Sequence, residues 1–195
     1  MAQKSLPYSR STMLEQRIQQ QFFESADLQY QAAEGLGRPL ADATAALIAA
    51  LTNGGKLMLA GQGAGAALAQ HMAQRLTGRF ERERPPLAAM PLTGALSGDA
   101  AQQVRALGLP GDVLLLIDDG ESDPAAAITA AQSKDMTLVV LAGRANAALA
   151  ELLAETDVFI AVPADRAPRV VELQLLALHA LCDAVDFQLM GEQDT

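Results

Sequence analysis

Cysteine is almost absent from this chain of 195 residues, in which Cys182 is the only one. No disulfide can therefore form within the chain, and a single thiol is typical of a protein from a reducing compartment. Cys182 lies within an apolar helical pattern, which predicts a buried thiol rather than a reactive one. The N-terminus lacks the apolar core of a signal peptide, and no apolar run approaches the length of a membrane span. These absences predict a soluble cytoplasmic protein that makes no contact with a membrane.

Positive charge and aromatic side chains are also scarce. The chain has 14 Lys and Arg residues against 23 Asp and Glu, a formal net charge of −9, and only 4% aromatic residues. Because phosphate backbones attract Lys and Arg, this balance argues against direct nucleic-acid binding. Half of the residues are hydrophobic, and a chain of this length is large enough for one core and small for two. We therefore expect one domain in which helices pack closely on a sheet.

The N-terminal quarter predicts a disordered tail followed by two helices. Residues 1–12 are polar and rich in serine, which favours disorder. Residues 13–34 carry an apolar stripe at helical spacing, a glycine-rich stretch ending at Pro39 interrupts it, and residues 40–51 form a second helical pattern. Such a helical pair ahead of the first strand has little sheet to cover. Residues 13–53 are therefore expected to pack on another copy of the chain.

The rest of the chain alternates short apolar runs with helical patterns. The runs show no polar alternation, which is typical of parallel strands buried on both faces. The sequence therefore predicts an α/β fold, a doubly wound five-stranded parallel sheet flanked by helices, with ligands beyond the C-terminal ends of the strands. The predicted strands are 57–60, 87–92, 112–117, 136–141 and 158–162, and the predicted helices that follow them are 64–77, 99–107, 124–134, 145–155 and 168–190.

A glycine loop connects the first strand to its helix. In this arrangement backbone N–H groups at the helix N-terminus can receive an anion, usually a phosphate. The loop is not a P-loop, because neither Lys nor Ser/Thr follows its last glycine, and it fits only the relaxed dinucleotide motif because its third position is Ala66. The alternative is that the glycines only make a tight strand-to-helix turn. The loop residues are Gly61, Gln62, Gly63, Ala64 and Gly65.

Several motifs together resemble the sugar isomerase (SIS) domain of phosphoheptose isomerases. The first signature covers residues 61–71 and is followed by Gly78-Arg79-Phe80 and Arg84-Pro85. Further similarities lie at residues 103–108, 111–115 and 169–172. The resemblance extends from Leu14 to Asp194 and implies a single SIS domain over residues 13–195.

The family holds sugar phosphates with hydroxyl groups on two loops, and this chain departs from both. The resemblance matches the family's serine to Gly65 and its asparagine to Gln62. In the second loop, residues 118–123 read Asp-Asp-Gly-Glu-Ser-Asp, so Ser122 is the only hydroxyl among four carboxylates. Like charges ~4 Å apart repel by roughly 4 kcal/mol at an effective dielectric near 20, so no phosphate is expected there unless a cation lies between. The alternatives are a solvated acidic turn that caps the next helix and a cation site.

The catalytic positions implied by the resemblance are degenerate. Phosphoheptose isomerases use a glutamate and a histidine near a zinc ion held by two histidines, a glutamate and a glutamine. Carried over by position, these ligands fall on His71, Arg75, Val171 and His179. Arg75 puts a cation where the family has its carboxylate, and two remaining imidazoles make a poor zinc site. We therefore expect no catalytic residue, no metal and no cofactor; taken without the family, each histidine is expected to be a hydrogen-bonded structural residue.

Segment 93–99 and Arg79 also bear on whether a sugar phosphate could bind. The segment 93–99, which normally helps to close the sugar pocket, is shorter here. Arg79 is open to two interpretations: contact with a ligand anion, or pairing with Glu81, Glu83 or Glu172.

Residues 80–85, 134–137 and 181–183 resemble one non-catalytic branch of the family, the initiator-associating proteins of bacterial chromosome replication. Those proteins are tetramers that bind the replication initiator, and their exposed Leu-Phe pair matches Leu189 and Met190 here. The resemblance implies a homodimeric or homotetrameric regulator with a partner-binding patch at the end of the last helix. The alternative for Leu189 and Met190 is ordinary packing at a helix end. Two alternatives remain: an isomerase acting on sedoheptulose 7-phosphate, and a sensor that binds a sugar phosphate without converting it.

Overall fold

A computed structural model describes residues 8–118, 120, 122–143 and 147–191 of the chain. These residues form five strands and six helices in alternation. The strands are β1 Leu57–Gly61, β2 Ala89–Pro91, β3 Val113–Asp118, β4 Thr137–Ala142 and β5 Val158–Ala161, and the helices are α1 Tyr8–Thr52, α2 Ala64–Thr77, α3 Asp99–Leu107, α4 Ala125–Gln132, α5 Ala147–Ala150 and α6 Ala167–Met190.

The five strands form one parallel sheet in the order β2-β1-β3-β4-β5. Every residue of β1 and β3 is buried, which explains why their sequences show no alternation. One face packs on α1, α2 and α6, and the other packs mainly on α3 and α4. The predicted doubly wound five-stranded fold is confirmed. Its strand order reverses between β1 and β3, so the loops after these strands meet at the edge where such folds bind ligands.

The prediction of two N-terminal helices is wrong, because α1 is one helix of 45 residues that contains Pro39. A proline within a helix removes a hydrogen bond and costs about 3 kcal/mol. Packing outweighs that cost here: Ala32 and Leu36 before the proline, and Ala43 and Leu47 after it, are all buried in the same core cluster. The glycines and Pro39 favour a break in the helix, but the packing of the residues before and after them keeps the helix continuous.

Three boundaries also differ from the sequence prediction. Helix α1 begins at Tyr8, so residues 8–12 are helical rather than disordered, and residues 1–7 lie outside the described residues. Strand β2 is limited to Ala89–Pro91. Helix α5 spans only Ala147–Ala150, and the first two residues of the helix predicted there are not described. Within the part of the chain described, no helix combines the length and apolar character needed to cross a bilayer.

A polar network fixes α1 against the start of α6. Arg169 is buried and donates to both carboxylate oxygens of Glu172 at 2.7 Å and to the Gln21 carbonyl oxygen at 2.9 Å. The Ser25 hydroxyl donates to Glu172 Oε2 at 2.7 Å. The hydrogen bond from Ser25, followed by the bond and charge of Arg169, lowers the pKa of Glu172. Gln21 and Ser25, in the first half of α1, are thereby connected by hydrogen bonds to the start of α6.

Candidate functional site

In the glycine loop between β1 and α2, two glycines lie so close to neighbouring backbone atoms that no side chain fits at either position. A Cβ on Gly61 would lie 2.4 Å from the carbonyl carbon and oxygen of Gly65, and a Cβ on Gly65 would lie 2.6 Å from the Ile117 carbonyl oxygen. Gly63 has a φ of 56°, which glycine adopts without strain. The Gly65 N–H donates to the Gln62 carbonyl oxygen at 2.9 Å. No side chain, and hence no hydroxyl, fits at Gly65 in this conformation.

Gln174 on α6 ties the ends of the two central strands together. It is 1% exposed, and its Nε2 donates to the carbonyl oxygens of Asp118 at 2.7 Å and Leu141 at 3.2 Å. These carbonyls lie at the C-terminal ends of β3 and β4, beside the second loop of the site. Sequence analysis missed Gln174, although an amide in an otherwise apolar stretch of α6 was a usable signal.

Four described residues of the loop after β3 help to line a cavity of about 240 Å³: Asp118, Gly120, Ser122 and Asp123. Asp123 Oδ1 accepts a hydrogen bond from the Ala125 N–H at 3.0 Å, at the first turn of α4. Asp123 precedes the N-cap residue Pro124, so it satisfies one unpaired N–H of the first turn of α4 without being the N-cap itself. The other two acidic residues of the predicted loop, Asp119 and Glu121, lie outside the described residues.

His71 on α2 and His179 on α6 meet between their helices. Their Nε2 atoms are 2.8 Å apart, so one ring donates a hydrogen bond and the other accepts it. The Phe80 ring packs against His179 with centroids 5.3 Å apart. Burial lowers the pKa of His71, and the neighbouring charges of His179 and Arg75 lower it further. The geometry is that of a hydrogen-bonded histidine pair that ties two helices together.

Arg75 lies one helical turn after His71, and its charge acts directly on that imidazole. The Arg75 Nε is buried and has no hydrogen-bond partner within the described residues. Val171, at the family's glutamine position, is partly buried against the main core cluster. Position 75, which the resemblance aligns with the family's glutamate, therefore carries a guanidinium and not a carboxylate.

A zinc ion does not fit the residues present. Two imidazole nitrogens on one tetrahedral zinc lie about 3.3 Å apart, given Zn–N bonds near 2.05 Å, whereas Nε2 of His71 and Nε2 of His179 are 2.8 Å apart. Among the residues described, no group of three or more His, Cys, Asp or Glu side chains is placed to hold a metal. The Arg75 charge further opposes a divalent cation at this point.

Sequence analysis missed a buried ion pair between Arg84 and Asp186, which connects the end of α2 to α6. The Nε of Arg84 donates to Asp186 Oδ1 at 2.5 Å, and these side chains are 1% and 2% exposed. Arg84 also donates to the carbonyl oxygens of Arg75 and Leu76, each at 2.8 Å, where α2 leaves carbonyls unpaired. Burial, together with the Asp186 charge, raises the pKa of the Cys182 thiol to about 12. This thiol is buried, as the sequence predicted.

Arg79 forms an ion pair with Glu83, which is one of the partners that the sequence left open. Both side chains are largely exposed. Its guanidinium lies on the surface just after the end of α2.

The predicted patch at the end of α6 is only partly exposed. Leu189 packs against the main core, whereas Met190 is 50% exposed. Phe187, which the sequence analysis did not single out, is 42% exposed beside them. Arg82 donates to the Gly191 carbonyl oxygen at 2.5 Å and fixes the end of the helix, and the residues after Gly191 are not described.

A doubly wound sheet with a glycine turn after its first strand and a histidine pair between α2 and α6 defines a domain of the sugar-isomerase type. The sequence profile described as SIS domain matches residues 21–143, more than half of the chain. The chain belongs to the SIS-domain family.

Relatives of two kinds match over nearly the whole chain. A phosphoheptose isomerase of Methylibium petroleiphilum is 51% identical, covering 93% of this chain and 98% of its own length. A DnaA initiator-associating protein, DiaA, of Yersinia pseudotuberculosis is 43% identical, covering 93% of this chain and 100% of its own length. Among solved structures, phosphoheptose isomerase GmhA from Neisseria gonorrhoeae superposes with a TM-score of 0.80 at 35% identity, covering 89% of this chain and 98% of that one.

Proposed function

We propose that this chain is a non-catalytic SIS-domain protein and acts in the cytoplasm as an oligomeric, protein-binding regulator. The observation that carries the proposal is Arg75, which stands beside the His71–His179 pair where an isomerase would need a carboxylate base. A guanidinium stays protonated in proteins and accepts no hydrogen bond. The family's carboxylate accepts a proton and binds a metal ion, and the Arg75 guanidinium can do neither.

The substrate loops support the same conclusion. Gly65 lies against the Ile117 carbonyl oxygen, so the first loop has no space for a hydroxyl there. Asp118 at the end of β3 begins a second loop that carries four carboxylates and one hydroxyl group. Because a phosphorylated sugar brings about two negative charges of its own, this loop disfavours it electrostatically.

The proposed partners are further copies of this chain, as a homodimer or homotetramer, and a replication initiator protein of the DnaA type. The relative named as a DnaA initiator-associating protein supports the second partner. Met190 and Phe187 supply exposed apolar area at the end of α6. Because each copy of an oligomer would carry such a patch, several weak contacts would form together and the overall affinity for the partner would be high.

Replacing Met190 by aspartate tests this proposal. We expect Met190→Asp to reduce capture of the purified DnaA initiator at least 10-fold, because a charge would be placed in the centre of an apolar contact. Binding is measured by pull-down and surface plasmon resonance on the full chain. The matched control is Leu152→Asp, since Leu152 is 44% exposed and lies after α5, away from this helix end. Equal loss in both variants, or no capture by the unchanged chain, would contradict the proposal.

A second candidate function, isomerisation of sedoheptulose 7-phosphate, is favoured by the identity to relatives named phosphoheptose isomerase. We expect no turnover of this sugar phosphate, with or without added zinc, because no base replaces the missing carboxylate. Product is measured by chromatography, with the Neisseria enzyme as the positive control. Calorimetric titration with the same compound, which would reveal a sugar-phosphate sensor, is expected to give no heat. Measurable turnover would replace the first proposal with this one.

A further inference from the structure

Strand β5 forms an edge of the sheet. It is the last strand in the sheet order and, among the residues described, pairs only with β4. The Val162 N–H donates to the Ala142 carbonyl oxygen at 3.0 Å, so the backbone groups of Val162 face β4. Because the backbone groups of successive strand residues face opposite sides, the N–H and C=O groups of Phe159 and Ala161 face away from β4. An edge of this kind can pair with another extended chain.

A groove of about 390 Å³ runs along the start of this edge. Val158 and Phe159 both line it, although Val158 packs on the core beneath α1 and Phe159 packs on the core of the opposite face. A groove that contacts both side chains crosses the edge of the strand, where the backbone lies. The other wall is α1, whose Ala45 and Ala46 are small and leave space beside the strand.

The groove carries negative charge near the N-terminal end of β5. Asp42, Glu155 and Asp157 line it. Glu155 is exposed, and Asp42 forms a surface pair with Arg38. The two carboxylate oxygens of Asp157 accept backbone hydrogen bonds at 2.8 and 2.9 Å, so this residue contributes its charge to the groove rather than a free acceptor. The groove is therefore complementary to a positively charged segment.

We propose that β5 accepts an extended peptide segment of a partner protein, carrying lysine or arginine, as a sixth strand of the sheet. The outward N–H and C=O groups of Phe159 and Ala161 form four backbone hydrogen bonds with it, and its cationic side chains lie beside Glu155 and Asp42. Pro163 has no N–H, so the pairing ends there. A second copy of this edge would bring the same carboxylates, and like charges oppose that pairing.

This inference goes beyond the proposed function and does not depend on the patch at the end of α6. A heptapeptide of alternating lysine and valine, blocked at both ends, tests it on the full chain. Calorimetry measures the affinity, and NMR measures hydrogen exchange at the Phe159 and Ala161 amides. We expect the bound peptide to slow exchange at both amides at least about 10-fold. The same peptide, N-methylated at its five central residues, keeps its charge but loses its donors, and we expect it to bind at least about 10-fold more weakly.

Variants of the chain separate backbone pairing from charge. Ala161→Pro removes one outward N–H and no bond to β4, and Glu155→Lys reverses one charge in the groove. Each is expected to weaken peptide binding at least about 10-fold. The matched control is Glu81→Lys, which makes the same change in net charge at an exposed residue after α2 and should alter the affinity less than about twofold. Glu155→Lys and the methylated peptide remain decisive if circular dichroism shows that Ala161→Pro does not fold.

The inference is wrong if the lysine–valine peptide does not bind, if Glu81→Lys weakens it as much as Glu155→Lys does, or if the methylated peptide binds equally well. Equal binding of the methylated peptide would show attraction by charge without strand pairing. Slow exchange at Phe159 and Ala161 in the concentrated chain without peptide, becoming fast on dilution, would show that a second copy occupies this edge instead.

Discussion

Replacing Asp186 by alanine is expected to lower the free energy of unfolding by about 3–5 kcal/mol, the cost of leaving one member of a buried ion pair without its partner. Asp186 is the only carboxylate within the described residues that pairs with Arg84, and both side chains are almost completely buried. The remaining guanidinium would keep its bonds to the carbonyls at the end of α2 but lose its counter-charge. Urea unfolding followed by circular dichroism measures the difference.

The matched control is the exposed pair formed by Arg79 and Glu83, whose side chains are 63% and 82% exposed. Because water screens such charges, Glu83→Ala should change the free energy of unfolding by less than about 1 kcal/mol. The two carboxylates lie in the same region of the fold, so burial is the main difference between the experiments. Similar losses in both variants would show that the Arg84–Asp186 pair does not hold α2 to α6.

Strands β1 and β3 were predicted within one residue at each end because burial on both faces leaves a signal in the local sequence. Uninterrupted apolar runs of this length, each followed by a helix, are typical of parallel strands that are covered on both faces. Helix α1 was predicted as two helices because Pro39 is a local signal, whereas the contacts that keep the helix continuous come from distant parts of the chain. Local patterns therefore predicted the sheet better than they predicted this long helix.

The candidate site is formed by residues that are far apart in the chain, and a single sequence does not show which distant residues come into contact. His71 and His179 are 108 residues apart in the chain, and Arg84 and Asp186 are 102 apart. The family resemblance identified the histidine positions but gave no distance between them. The close approach of Gly65 to Ile117 likewise depends on how α2 lies on β3, which residue spacing alone does not determine.

Replacing Arg75 by glutamate is expected to create a zinc site with an affinity at least about 10³-fold above that of the unchanged chain. The variant would add a carboxylate one turn from His71. Once the two imidazole nitrogens move from 2.8 Å to about 3.3 Å apart, two histidines and one glutamate form a ligand set that zinc enzymes use. It also removes a positive charge whose repulsion at about 4 Å is worth roughly 4 kcal/mol at an effective dielectric of 20. Calorimetric titration with zinc measures the affinity directly.

The control Arg75→Gln removes the same charge without supplying a carboxylate, so it separates electrostatic relief from ligation. We expect it to bind zinc far more weakly than Arg75→Glu, and we expect His71→Asn in the glutamate background to abolish binding. If the unchanged chain already binds one zinc ion tightly and loses it on His71→Asn, the 2.8 Å contact between the histidines opens for a metal. The proposal that this domain has given up metal-dependent chemistry would then be wrong, because Arg75 would not prevent the metal from binding.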